Sequence, residues 1–240
     1  MRLAYWPGMG GRPGSLDEIA PLLRDAGVDA FVVDPRYEER RSWDLDVLAA
    51  EVAATGADVY AGSSWGGAIA ARAAVARAPR ALVLFDGGHF ATSDSGYDPA
   101  AELAEVRRLY EEDWRWPTWD AYLEWQRGTG PRWNETIEAI ARGAAELREG
   151  EVRFAYSVET FERIFRAYQG YDAVATLSSI SPETRVLVVA ADLDETRRAL
   201  ARRAQELVPH ADVRLVESGH DVVWDKGPEL GHMVAEWLRA

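Results

Sequence analysis

Residues 62–66 read Gly-Ser-Ser-Trp-Gly, the pattern G-x-S-x-G with Ser64 at its centre. A serine hydroxyl attacks a carbonyl carbon when a base takes its proton and when the backbone presents it without obstruction. Glycines two residues before and two after meet the second condition, because the central serine sits in a strained turn where neighbouring side chains would collide. Gly67 leaves further room for a helix to approach its sheet. A glycine-rich turn that merely starts a helix is the bland alternative. Against it stands the setting: an apolar run at 59–61 leads directly into the motif and an alanine-rich stretch leads directly out, which is the strand-turn-helix context of a nucleophile elbow.

The base that activates such a serine is usually histidine, and there are four. His220, in Glu217-Ser218-Gly219-His220-Asp221, follows the last predicted strand and therefore falls on the same sheet edge as the elbow. His210 precedes that strand and points to the opposite edge, His232 lies in the terminal helix, and His89 follows the strand at 81–85 and is a second candidate. The base in turn needs a carboxylate to hold its tautomer. Asp194, four residues past the strand that ends at Ala190, is the first choice; Asp192 in the same turn and Asp86 at the end of the strand at 81–85 are the rivals. Asp194 is also placed to cap the helix that follows.

The elements that must position these residues alternate. Short apolar runs at 3–6, 30–33, 59–61 and 81–85 have strand length, and helical stretches lie between them. Ser15 with Glu18 has the spacing of a capping box, and Gly27 stands where a helix would close. Further helices are expected at 45–55 and 68–78. The pattern returns with a strand at 185–190, a helix at 196–207, a strand at 213–216 and a helix at 228–238. Such alternation implies an α/β fold with a parallel sheet covered on both faces. Residues 91–182 differ. They show helical stripes and no convincing strand: Leu103, Val106 and Tyr110; Trp133, Ile137, Ile140, Ala144 and Leu147; Val158, Phe161, Phe165 and Tyr168. The expected division is a core of residues 1–90 and 183–240 and a helical cap of residues 91–182.

Composition removes several classes of function. The 240-residue chain carries a formal net charge of −13, which disfavours a phosphate backbone or an anionic membrane as partner. It has no cysteine, so disulfides, thiolate nucleophiles and cysteine-based zinc sites are out. No apolar run approaches the ~18 residues of a membrane span, and the N-terminus has no signal-peptide core. A cytoplasmic protein acting on a small molecule, as monomer or homodimer and without metal or cofactor, is the expectation. The cap region holds 17 acidic residues against 10 arginines, more than half of the net charge, read as a solvated outer face.

The order Ser64, then an acid, then His220 resembles the α/β-hydrolase superfamily of serine esterases, lipases and thioesterases. The turn Ala191-Asp192-Leu193-Asp194 resembles that family's G-x-x-D acid loop with Ala191 in place of glycine, and Trp6-Pro7-Gly8-Met9-Gly10-Gly11 resembles its H-G-x-G-G oxyanion loop with Pro7 where histidine is common. The resemblance implies a triad of Ser64, Asp194 and His220, an oxyanion hole formed by the backbone amides of Met9 and Trp65, a variable helical cap, and a minimal sheet of about six strands. It also implies acyl transfer to water on a carboxylic ester or related acyl compound. Thioesterase, acyltransferase or cyclase chemistry on the same triad, and ligand binding without turnover, are the alternatives. Trp65, beside the nucleophile, and Trp119, Tyr122 and Trp125, which follow one another at spacing three, are the candidate pocket aromatics for an apolar or aromatic substrate portion. A competing fingerprint for a dinucleotide, Gly8 and Gly10 with Asp34 at the end of the next strand, fails at its third glycine, where Pro13 stands.

Overall fold

The computed structural model describes residues 1–96 and 98–240. Strand β1 (Arg2–Trp6) is buried from Leu3 onward, and a continuous apolar run is what a strand covered on both faces demands. A 3-10 turn at Pro13–Leu16 and helix α1 (Ala20–Asp25) lead to β2 (Asp29–Val32). The expected box between Ser15 and Glu18 does not form. The chain makes its 3-10 turn first, so the Ser15 hydroxyl accepts the Arg12 amide at 2.9 Å, and Glu18 binds Arg132 and Asn134 instead. Helix α2 (Leu45–Ala54) starts at Asp44, whose carboxylate accepts the amides of Asp46 and Val47. Strand β3 (Val59–Ser63), helix α3 (Trp65–Ala76) and strand β4 (Ala81–Phe85) follow, with every residue of both strands buried.

The insertion comprises α4 (Pro99–Arg108), β5 (Arg115–Trp116), α5 (Trp119–Thr129), α6 (Glu135–Gly143), β6 (Ala145–Arg148), β7 (Glu151–Phe154), α7 (Val158–Gln169) and α8 (Ala173–Ser178). The expectation of a purely helical insertion is corrected here, because β5, β7 and β6 form an antiparallel sheet. The stripe from Trp133 to Leu147 runs past the end of α6. Glu149 and Gly150 both take positive φ, 52° and 85°, and turn the chain into a hairpin that no helix could continue through.

Strand β8 (Arg185–Ala191), helix α9 (Glu195–Leu207), strand β9 (Asp212–Val216) and helix α10 (Val222–Arg239) complete the chain. Lys226 interrupts α10 with φ −129°, two residues before Pro228, which cannot supply an amide to the preceding turn. The main sheet has six strands in the order β2-β1-β3-β4-β8-β9, all parallel. Strand order reverses between β1 and β3, so a crevice opens at their carboxyl ends.

One face of the sheet packs on α2 and α3, and the same apolar cluster takes in Ile164 and Tyr168 of α7 and Leu177 of α8. The other face packs on α1 and α10. A third, separate cluster of Trp116, Tyr122, Leu123, Ala141, Ala145 and Val152 lies within residues 115–154. Residues 91–182 therefore do not pack as one body: α7 and α8 belong to the core of the sheet, and 115–154 form a lobe with a core of its own. Among the described residues no helix is long and apolar enough to cross a membrane.

Candidate active site

The crevice between β1 and β3 receives the loop after β1 and the turn after β3. Ser64, in that turn, has φ 49° and ψ −122°, a conformation that costs free energy and persists only where surroundings enforce it. A Cβ on Gly62 would lie 2.1 Å from the carbonyl oxygen of Gly66, and one on Gly66 would lie 2.1 Å from that of Trp6. No side chain fits at either position, so the spacing of the two glycines is a steric requirement of the turn.

His220 stands on the loop between β9 and α10. Its Nε2 is 2.9 Å from the Ser64 Oγ and its Nδ1 is 2.6 Å from Oδ2 of Asp86. The expectation that Asp194 orients the histidine is therefore corrected. Asp194 is the N-cap of α9, its carboxylate accepting the Arg197 amide at 2.8 Å, and Asp192 pairs with Arg198 at 2.5 Å. The physical reason lies in the end of β8: the Ala191 amide donates to Asp86 Oδ1 at 3.0 Å, and the turn beyond it is committed to starting α9. Asp86 leaves β4 with φ 39° and is fully buried. Burial alone would raise its pKa. The hydrogen bond and charge of His220, the guanidinium of Arg197 3.5 Å away and the Ala191 amide outweigh burial and hold the carboxyl below its usual 3.8. The signal for Asp86 in the sequence was its place at the end of a wholly apolar strand, before Gly87 and Gly88.

The other histidines lie apart from this chain of contacts. His210 meets the Thr184 carbonyl at 3.1 Å, and His232 is on α10. His89 is buried edge-on against Phe90, and burial, only partly offset by the charge of Asp86, pushes its pKa down to about 4.

A cavity of about 470 Å³ opens beside His220. Its floor is the loop from Pro7 to Arg12, held by a relay in which the Gly8 amide donates to Ser63 Oγ at 2.9 Å and that hydroxyl meets the Tyr5 hydroxyl at 2.7 Å. Met9 lines the cavity in this loop, and the Trp65 amide is the first of α3, where a helix leaves N–H groups without an internal acceptor. The roof is formed by Gln126 and Thr129 of α5, Ile137, Ile140 and Ala141 of α6, Ala144 and Phe154.

The four expected pocket aromatics do not line this cavity. Trp65 is fully buried, its ring edge-on to Tyr168 at 5.5 Å, because α7 covers the start of α3. Tyr122 is fully buried and donates to the Ala141 carbonyl at 2.9 Å; Trp119 packs beside it, and Trp125 leans on Trp116 at 4.9 Å. The aromatic face of α5 thus builds the core of the lobe, and its neighbouring face, with Gln126 and Thr129, meets the cavity. The aromatic residues that line it are instead Tyr5, Phe154, Tyr156 and Trp224, none of which the sequence offers as a pocket residue. Among the described residues no three His, Asp or Glu side chains converge as a metal site requires.

A family model described as alpha/beta hydrolase matches residues 6–230. The chain belongs to the alpha/beta hydrolase family. Solved structures of that architecture superpose on nearly the whole chain of this hydrolase-family member. E-2-(acetamidomethylene)succinate hydrolase is similar with a TM-score of 0.78 at 16% identity, over 99% of this chain and 91% of its own. MenH from S. aureus gives 0.74 at 15%, over 100% and 93%. The thioesterase domain from the curacin biosynthetic pathway gives 0.70 at 16%, over 100% and 90%. No curated protein sequence matches the chain.

Proposed function

We propose that this protein is a serine hydrolase that cleaves a carboxylic ester or related acyl compound through an acyl-enzyme on Ser64. The observation that carries the reading is the unbroken chain from Ser64 Oγ through both ring nitrogens of His220 to a buried Asp86, beside a cavity of small-molecule size. In this mechanism His220 Nε2 takes the serine proton as Oγ bonds to the carbonyl carbon, and returns it to the leaving alkoxide. Water then repeats the sequence on the acyl-enzyme, releasing the acid and free Ser64. Asp86, rather than Asp194, fixes the tautomer with the proton on Nδ1. The amides of Met9 and Trp65 stabilise the oxyanion, each contributing on the order of 3 kcal/mol in a preorganised site.

Labelling with a fluorophosphonate tests this directly. The wild-type protein is expected to be modified and Ser64→Ala is not; modification retained in the variant would assign the reaction to another residue. A panel of esters and acyl thioesters of graded chain length then separates ester from thioester preference.

A further inference from the structure

Arg12 is a cation that the catalytic chain does not use. It lines the cavity on a half-buried stretch of the floor loop, just before the 3-10 turn that packs under α6. Its Nε and Nη2 are both buried and have no hydrogen-bond partner among the described residues. Its guanidinium carbon lies 5.0 Å over the ring of Tyr37, a contact that holds the plane of the group without satisfying its N–H donors. Of the three acids that line the cavity, Glu18 is engaged by Arg132 and Asn134 at 2.6 and 2.7 Å and Asp225 by the Gly219 amide at 2.6 Å, while Asp221 interacts with the adjoining His220 and the Trp224 amide. The electrostatic influence of Arg12 falls on tyrosines 37, 156 and 122. A buried guanidinium edge without an acceptor is costly, and Nε with Nη2 is the side-on fork that matches the two oxygens of a carboxylate.

We propose that Arg12 is a specificity residue that receives a carboxylate of the substrate, so that the preferred substrates are acyl compounds bearing a free carboxylate in addition to the bond cleaved. This rests on the hydrolase reading above for the reaction, though not for the binding.

Two measurements separate the two claims. In the first, para-nitrophenyl half-esters of linear dicarboxylic acids are compared with neutral isosteres in which an isopropyl group replaces the carboxylate. The wild type is expected to favour the best half-ester in kcat/KM by about tenfold or more, Arg12→Gln to lose that ratio, and Arg12→Lys to recover part of it. Turnover of both series without a preference, or a preference that survives Arg12→Gln in a protein of native circular dichroism, overturns the subsite and leaves the hydrolase reading standing. In the second, Ser64→Ala is titrated calorimetrically with the half-amide of the best diacid and with its phosphonate counterpart. Carboxylate binding that Arg12→Gln abolishes supports the subsite even if no ester is turned over. Tighter binding of the phosphonate, or binding indifferent to Arg12, overturns the assignment to a carboxylate.

Discussion

Asp86 takes the role for which the sequence makes Asp194 the first choice, and Asp194 keeps the capping role that its position also suggests. Both follow a parallel strand, Asp86 directly after β4 and Asp194 three residues after β8, and what separates them is where their carboxylates find donors: Asp194 on the Arg197 amide of α9, Asp86 on His220, Ala191 and Arg197. That choice depends on which loop reaches across the sheet, which spacing along one chain does not encode. Ser64 was legible because its strain demands glycines at fixed neighbouring positions, and His220 because it follows the last strand. Asp86→Asn, which keeps the shape but reverses the tautomer logic, is expected to lower kcat on the order of a thousandfold or more. Asp194→Ala is expected to cost about 1 kcal/mol of stability through the lost helix cap, with kcat unchanged. Steady-state kinetics beside denaturant titration of the two variants checks both expectations.

At the scale of elements, the six strands and most helices of the core could be read from apolar runs and their glycine and aspartate punctuation. The insertion is harder, because Ala144, the cap of α6, and Leu147, already within β6, continue the helical spacing without a break. The decisive residues there, Glu149 and Gly150, act through positive φ and leave no periodicity behind. The role of the aromatic side of α5 is hidden for a related reason: spacing reveals that a face is apolar, and only the partner element reveals whether it meets a cavity or a core. Glycine substitutions offer a test of how tightly elements interlock. Gly27→Ala meets open space at φ +78° and is expected to cost about 1 kcal/mol. Gly66→Ala forces β1 and α3 apart and is expected to cost more than ~3 kcal/mol. Thermal melts of the two variants should differ accordingly, and similar losses would mean that the elbow yields more easily than its contacts imply.

Across the whole molecule, the neutral buried His89 makes stability depend on pH. Its folded pKa of about 4 lies below its ordinary 6.5, so between those values the unfolded chain binds a proton that the folded chain does not. Stability from this group is complete above pH ~6.5, falls as pH drops towards ~4, and is lost no further below that. The total is about 3 kcal/mol. His89→Gln is expected to flatten this part of the pH–stability profile measured by urea titration; an unchanged slope would assign it to other groups.

The lobe of residues 115–154 has a core of its own, yet it contributes Gln126, Thr129, Ile137, Ile140, Ala141, Ala144 and Phe154 to the cavity roof. Ser64 and Asp86 directly follow two adjacent strands, β3 and β4, and both precede the lobe in the chain. This arrangement predicts that the roof can be exchanged while the reactive base, which His220 joins from the loop after β9, keeps its geometry. A chimera carrying a foreign lobe in place of residues 115–154 should retain fluorophosphonate reactivity at Ser64 while its ranking of esters is rewritten. If reactivity vanished in a chimera that still folds, roof and base would have to be inherited together.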